Sequence, residues 1–162
     1  MNTKMISFVG LLVLFASLLS ACTSNSTTGS AANSGNITIK DAWVRAGLAT
    51  SDDVQSAGYM LIDNGGNVAD TLLSVSSDSA GAIEIHESKE MEGMKGMMSM
   101  SPLPDGLEIP ANGSVAIKPG SFHLMIMKAK KEAYTAGRTV KLLFKFKSGT
   151  EITLDVPVRE NN

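Results

Sequence analysis

Phe122-His123-Leu124-Met125-Ile126-Met127 alternates without a break between apolar residues and soft metal-ligand types. In a β-strand successive side chains point to opposite faces, so Phe122, Leu124 and Ile126 take one face and His123, Met125 and Met127 the other. One face suits a core, and the other presents an imidazole and two thioethers. The stretch therefore predicts a half-buried strand carrying chemistry on its outer side.

Outward from it, the chain repeats short alternations separated by turn chemistry. Upstream, Lys118-Pro119-Gly120-Ser121 is a turn that follows Ser114–Ile117, and Pro110-Ala111-Asn112-Gly113 separates that run from Leu107-Glu108-Ile109. Further back, Ile37–Val44, Ser56–Ile62 and Asp70–Ser76 read as strands, with a polar loop over Gly47–Gln55 and a turn at Asp63–Asn67. Gly81-Ala82-Ile83-Glu84-Ile85-His86 reads as another, whose parity puts Ile83 and Ile85 inside, Glu84 and His86 outside, and His86 at the strand end. Downstream, Ala129–Ala136 is the stretch with helix-forming composition, stopped by Gly137. Thr139–Phe146 and Glu151–Val156 flank Ser148-Gly149 as a closing hairpin. Eight or nine short strands with frequent turns predict an all-β fold, an antiparallel β-sandwich.

The 162 residues, 43% of them hydrophobic, suffice for one core. A net charge of −2 without a basic patch, and few aromatics beyond Trp43, exclude nucleic acid as a partner. Met1–Met5 carries a lysine, Ile6–Leu19 is apolar but short for a membrane span, and Leu19-Ser20-Ala21-Cys22 resembles a bacterial lipoprotein processing site. The expected organisation is a signal peptide over 1–21, a lipidated Cys22 with a flexible tether to residue 36, a domain over 37–158 and a tail over 159–162. The protein is thus expected outside the cytoplasm, held to a bacterial membrane through its lipid. Cys22 is the only cysteine, so processing there leaves the folded domain without thiol or disulfide chemistry.

Of the ten methionines, two lie in the signal, Met60 sits in a strand, and seven fall at Met91, Met94, Met97, Met98, Met100, Met125 and Met127. Both histidines, His86 and His123, border those seven. A lone His on a strand is more often a hydrogen-bonded structural residue, and Met is a common filler of irregular core space. Their clustering outweighs that explanation, because His86–Met100 is too rich in Gly, Lys and Glu to be buried. Imidazole with thioether suits Cu(I), whereas Zn(II) favours thiolates and carboxylates and Mg(II) or Ca(II) favours oxygen. No nucleophile elbow, phosphate loop, His-Glu-x-x-His helix or cysteine pair is present, so no catalytic residue is assigned and an enzyme is not expected.

The order Asp41-Ala42-Trp43-Val44-Arg45, Ala57-Gly58-Tyr59, His86-Glu87, Met98-x-Met100, Gly106-Leu107-Glu108-Ile109-Pro110, Lys118-Pro119-Gly120 and His123-Leu124-Met125-Ile126-Met127 resembles the bacterial periplasmic copper chaperone family PCuAC over nearly all of Ile37–Val158. The resemblance implies a cupredoxin-like sandwich and a Cu(I) site near the surface made by His86, Met100, His123 and Met125. Thirteen residues separate His86 from Met100, more than the family has. If the extra residues loop out within Glu90–Gly96, Met100 keeps its place; otherwise Met97 becomes the ligand, with Met98 and Met127 as further alternates. The resemblance also implies delivery of copper to cytochrome c oxidase, through subunit II with its copper A centre or a Sco-type thiol copper protein. The rival is a copper- or silver-sequestering lipoprotein that uses the surplus Met91, Met94 and Met97. A blue-copper electron carrier would need a cysteine that the processed domain lacks, and a metal-free β-sandwich adhesin leaves the clustering unexplained.

Overall fold

Phe122–Met127 forms a strand whose apolar side faces the core, with Leu124 and Ile126 wholly buried and Phe122 packed at the margin. The computed structural model describes residues 30–34, 36–50 and 53–160. Over them the chain forms β1 (Ser30–Ser34), β2 (Ile37–Arg45), β3 (Leu48–Thr50), β4 (Asp53–Asn64), β5 (Asp70–Ser76), β6 (Ala82–Glu90), β7 (Met98–Pro102), β8 (Leu107–Ile109), β9 (Gly113–Ile117), β10 (Phe122–Met127), β11 (Thr139–Phe146) and β12 (Glu151–Arg159), and no helix.

These strands make one curled sheet in the order β7-β6-β10-β9-β4-β2-β12-β11-β5-β8, with β1 beside β2 and β3 beside β4. The pairings are antiparallel except at two places. β12 meets β2 in parallel at Val158↔Val44 and Arg159↔Arg45, and β10 meets β9 in parallel at Phe122↔Ile117. The sheet is therefore mixed, where the sequence predicted an antiparallel one; short parallel contacts at the folds of a curled sheet leave no trace in side-chain periodicity.

The curl lets the two halves share one core. Ile39, Ile62, Ile85, Leu124 and Ile126 from one half belong to the same buried cluster as Leu72, Val75, Leu142, Phe144 and Val156 from the other. Each such side chain, once buried, contributes about 1.5–3 kcal/mol against exposure. β11 and β12 show the period most cleanly: Val140, Leu142, Phe144 and Phe146 are buried on one, Ile152, Leu154, Val156 and Val158 on the other. Their outer faces carry the exposed cross-strand ion pairs Lys141–Asp155 and Lys145–Glu151, both at 2.8 Å. At such exposure an ion pair adds little to stability.

Four expectations change. The polar Gly47–Gln55 stretch holds β3 and the start of β4, registered Leu48↔Gln55 and Ala49↔Val54, because an exposed hairpin needs no apolar period. Ala129–Ala136 is irregular: Ala129 N–H donates to Val54, Lys130 N–H to Ser79, and the Tyr134 carbonyl accepts from Gly47. With Tyr134 almost fully buried, tertiary anchoring overrides helix propensity there. His86 lies in the middle of β6 rather than at its end, since Glu87–Glu90 continue the strand by pairing with β7. Ser30–Ser34, within the stretch expected as tether, run beside β2 with Ser34 opposite Ile37. Cys22, the expected signal peptide and the remainder of the tether lie outside the described residues. β12 extends to Arg159, the first residue of the expected tail.

Candidate metal centre

β10 is flanked by β6 in a register that sets His123 directly opposite His86, Met125 opposite Glu84 and Met127 opposite Ala82. Directly paired residues of an antiparallel ladder share a face. The face opposite the core therefore carries His86 and Glu84 from β6 together with His123, Met125 and Met127 from β10. The two imidazoles meet edge to face with ring centres 5.6 Å apart. β7 continues the ladder on the far side of β6, pairing Pro102 with His86, Met100 with Ser88 and Met98 with Glu90.

His86 is thus the hub. His123 is its direct cross-strand neighbour, while Met125 on one side and Met100 on the other are its diagonal neighbours, displaced in opposite directions along the strands. Diagonal positions are separated by about 7–8 Å between Cα atoms, within reach of long side chains. Met98 and Met127 share the face but stand one step further out, opposite Glu90 and Ala82. Met97 precedes β7 and belongs to the loop over 91–97. The sheet consequently keeps Met100, rather than Met97, in register beside the histidines.

The site is more sheltered than the exposed strand end expected from the sequence. His123 is 7% exposed and the His86 side chain 15%, whereas Met100 is 63% exposed on the edge strand. Burial holds the His123 pKa below the ordinary 6.5; the backbone of Ser121 opposes the shift, and electrostatic interaction with His86 and with Arg45 reinforces it. At neutral pH His123 is therefore the uncharged form that can act as a ligand. Ser88 Oγ lies 3.4 Å from His123 Nδ1, a long contact. Glu84 Oε2 stands 2.8 Å from His86 Nε2 and fixes that ring.

Glu84 was visible in the sequence as a residue on the same strand face as His86, but its grip on the ring was not. A ligating histidine commonly donates its other nitrogen to a carboxylate, which sets tautomer and orientation. With Nε2 engaged by Glu84, Nδ1 is the nitrogen of His86 left for a metal. The sequence reading also passed over the neighbouring aromatic pair: Trp43 and Tyr59 sit opposite one another on β2 and β4, ring centres 4.7 Å apart. Tyr59 shares its side of β4 with Ala57, the partner of Met125, so the pair borders the same face.

Among the described residues no group of three or more His, Cys, Asp or Glu comes together to hold a metal. The donors that do converge are two imidazoles with thioethers beside them. That set matches a soft monovalent cation, and it offers neither the thiolates of a structural zinc site nor the oxygen cage of calcium.

The chain resembles known proteins in sequence and in fold. The family described as "Putative lipoprotein LpqE-like" matches residues 37–158. "Uncharacterized protein RP573" of Rickettsia prowazekii (strain Madrid E) is 31% identical over 121 residues, 74% of this chain and 65% of that one. "Putative lipoprotein Lxx21020" of Leifsonia xyli subsp. xyli (strain CTCB07) is 25% identical over 124 residues, 76% of this chain and 70% of the relative. Roughly a third of each relative's length thus lies outside the match. Among solved structures, "Copper-bound PCuAC domain from PmoF2" superposes with a TM-score of 0.64 at 21% identity, covering 81% of this chain and 98% of that domain. "Solution structure of CuI-DR1885 from Deinococcus Radiodurans" does so with a TM-score of 0.57 at 26% identity, covering 74% and 76%. The cupredoxin-like architecture expected from the sequence is the fold of these neighbours. The chain belongs to the LpqE-like lipoprotein family, and its β fold is that of the PCuAC domains.

Proposed function

We propose that this protein is an extracytoplasmic, lipid-anchored Cu(I) carrier that binds one ion through His86, His123, Met125 and Met100 and hands it to cytochrome c oxidase assembly. The observation that carries the reading is the direct cross-strand pairing of His86 with His123, flanked on the same sheet face by Met125 and Met100. The copper-bound PCuAC domain and the Cu(I) form of DR1885 among its structural neighbours, and the lipoprotein name of the family, support it from outside the chain.

Neutral ligands leave the complex with the single charge of Cu(I) and without a thiolate grip. An acceptor that offers thiolates adds charge attraction to softness, so the ion moves downhill to it by ligand exchange. Met100, exposed on the outer strand, is the first ligand an acceptor can displace, and the sheltered histidines are the last. The acceptor in this reading is subunit II of the oxidase, at its copper A centre, or the Sco-type thiol protein that serves it. Transfer needs neither nucleotide nor reductant, and the carrier makes and breaks no covalent bond of a substrate.

A Cu(I) competition titration tests the site: the His123→Ala, Met125→Ala variant should bind at least tenfold more weakly than the native chain, and equal affinity would refute the assignment. Deletion of the gene tests the route. Oxidase activity should fall under copper limitation and recover with added copper. Intact oxidase in copper-sensitive cells would replace the carrier by the sequestering lipoprotein, whose support is the exposure of Met91, Met94 and Met97.

A further inference from the structure

The β6–β7 hairpin closes through Met91-Glu92-Gly93-Met94-Lys95-Gly96-Met97, a stretch with a methionine at every third position and a glycine before the second and third of them. Its backbone forms a closed ring of three hydrogen bonds. Met94 N–H donates to the Met91 carbonyl at 3.0 Å, Met97 N–H to the Met94 carbonyl at 2.9 Å, and Met91 N–H to the Met97 carbonyl at 2.8 Å. Each methionine is tied to the other two, and no other residue takes part in the ring.

The spacing explains the ring. Met91–Met94 and Met94–Met97 are successive four-residue turns, whose ends stand within about 7 Å of one another. Gly93 and Gly96 occupy the third position of each turn with φ of +77° and +85°, the region that glycine enters without strain. A Cβ at either glycine would meet nothing within 4 Å, so these glycines serve the backbone conformation and the tip stands clear of the sheet. Glu90 braces the tip by accepting the Gly96 N–H at 2.5 Å. A shallow hollow opens beside Met91 and Met94.

Burial accounts for none of the three side chains: Met91, Met94 and Met97 are 40%, 50% and 54% exposed. Three large apolar residues held together by a backbone ring and left in water are poor core and poor surface, but they are three soft donors at one point. Each thioether swings on three rotatable bonds, which lets the sulfurs converge on an ion above the ring. We infer that the hairpin tip is a second metal site, a three-thioether site for soft monovalent cations, Cu(I) or Ag(I), formed by Met91, Met94 and Met97. It goes beyond the carrier function and shares no ligand with the centre at His86 and His123. Divalent oxygen-seeking ions are excluded by its donors.

The two sites have different ligands, so substitution separates them experimentally. Silver(I) is the probe, added to the full-length protein in detergent with methionine methyl groups labelled for NMR. The native chain should take up two ions. The His86→Ala, His123→Ala variant should still take up one, with the methyl signals of Met91, Met94 and Met97 shifting together. Met91→Leu, Met94→Leu, Met97→Leu, which keeps the apolar bulk, should abolish that ion in the histidine variant and, with the histidines intact, leave one ion bound. The inference is overturned if the histidine variant binds no silver, or if its ion survives the leucine substitutions. A leucine variant with intact histidines that binds nothing would instead remove the histidine centre and leave the tip standing.

Discussion

His86 depends on a carboxylate two residues away, and that dependence is measurable. Glu84→Gln keeps the shape of the side chain but removes the charge that fixes the His86 ring from 2.8 Å. Outer partners of metal-binding histidines typically contribute tenfold to a hundredfold in affinity, and Glu84 is about half exposed, so a loss of about tenfold in Cu(I) affinity is expected. A competition titration of the variant checks it, and unchanged affinity would show that the carboxylate is incidental. His123 makes a second prediction. Its folded pKa is held below the ordinary 6.5 by burial, so between those two values the unfolded chain binds more protons than the native one. The stability that a neutral His123 supports is thus present above about pH 6.5 and lost as pH falls through the folded value. In the metal-free protein the His123 ring signal should titrate with a midpoint under 6.5 by NMR; a midpoint at or above it would contradict the packing described.

At the level of strands, the sheet builds its metal face by pairing β10 with both β6 and β4. Gly58 makes the second pairing possible: it lies opposite Leu124, and a Cβ there would come within 3.2–3.4 Å of Leu124 and Val44 side-chain atoms. Leu124 is fully buried and has no room to retreat. Gly58→Ala should therefore destabilise the fold by about 1–3 kcal/mol, the usual cost of overfilling a packed core. Urea denaturation of the metal-free protein measures it, and a variant as stable as the native chain would mean that β4 and β10 approach less closely. The strands differ in how plainly they announce themselves. β10, β11 and β12 were legible because one face of each is buried, so period and core coincide. β7 was illegible as a strand: all of Met98–Pro102 is exposed, and its order comes from backbone bonds to β6 that no side-chain pattern records. The same holds for Ser88–Glu90, which is why the sequence placed His86 at a strand end. His123 and Met125 could be assigned a face from parity alone, whereas their pairing with His86 and Glu84 required the register between strands distant along the chain.

For the whole molecule, the fold class and the donor types were readable from turn spacing and methionine placement, while the mixed sheet and the shelter of the histidines depended on how the sheet curls. Membrane attachment is tested on the full chain. If Cys22 carries the proposed lipid anchor, Cys22→Ser should move the protein from the membrane fraction to the soluble one. Retention in the membrane would refute the anchor. The two donor clusters also differ in when they come into being. β6 and β10 are neighbours in space but are separated along the chain by β7, β8 and β9, so the imidazole pair rests on a long-range contact. The methionine ring closes within a single hairpin tip, through contacts as local as a chain can make. A newly emerged polypeptide accordingly acquires its thioether cluster early and its paired histidines late, and competence to hold copper at His86 and His123 is a mark of maturity as much as of composition.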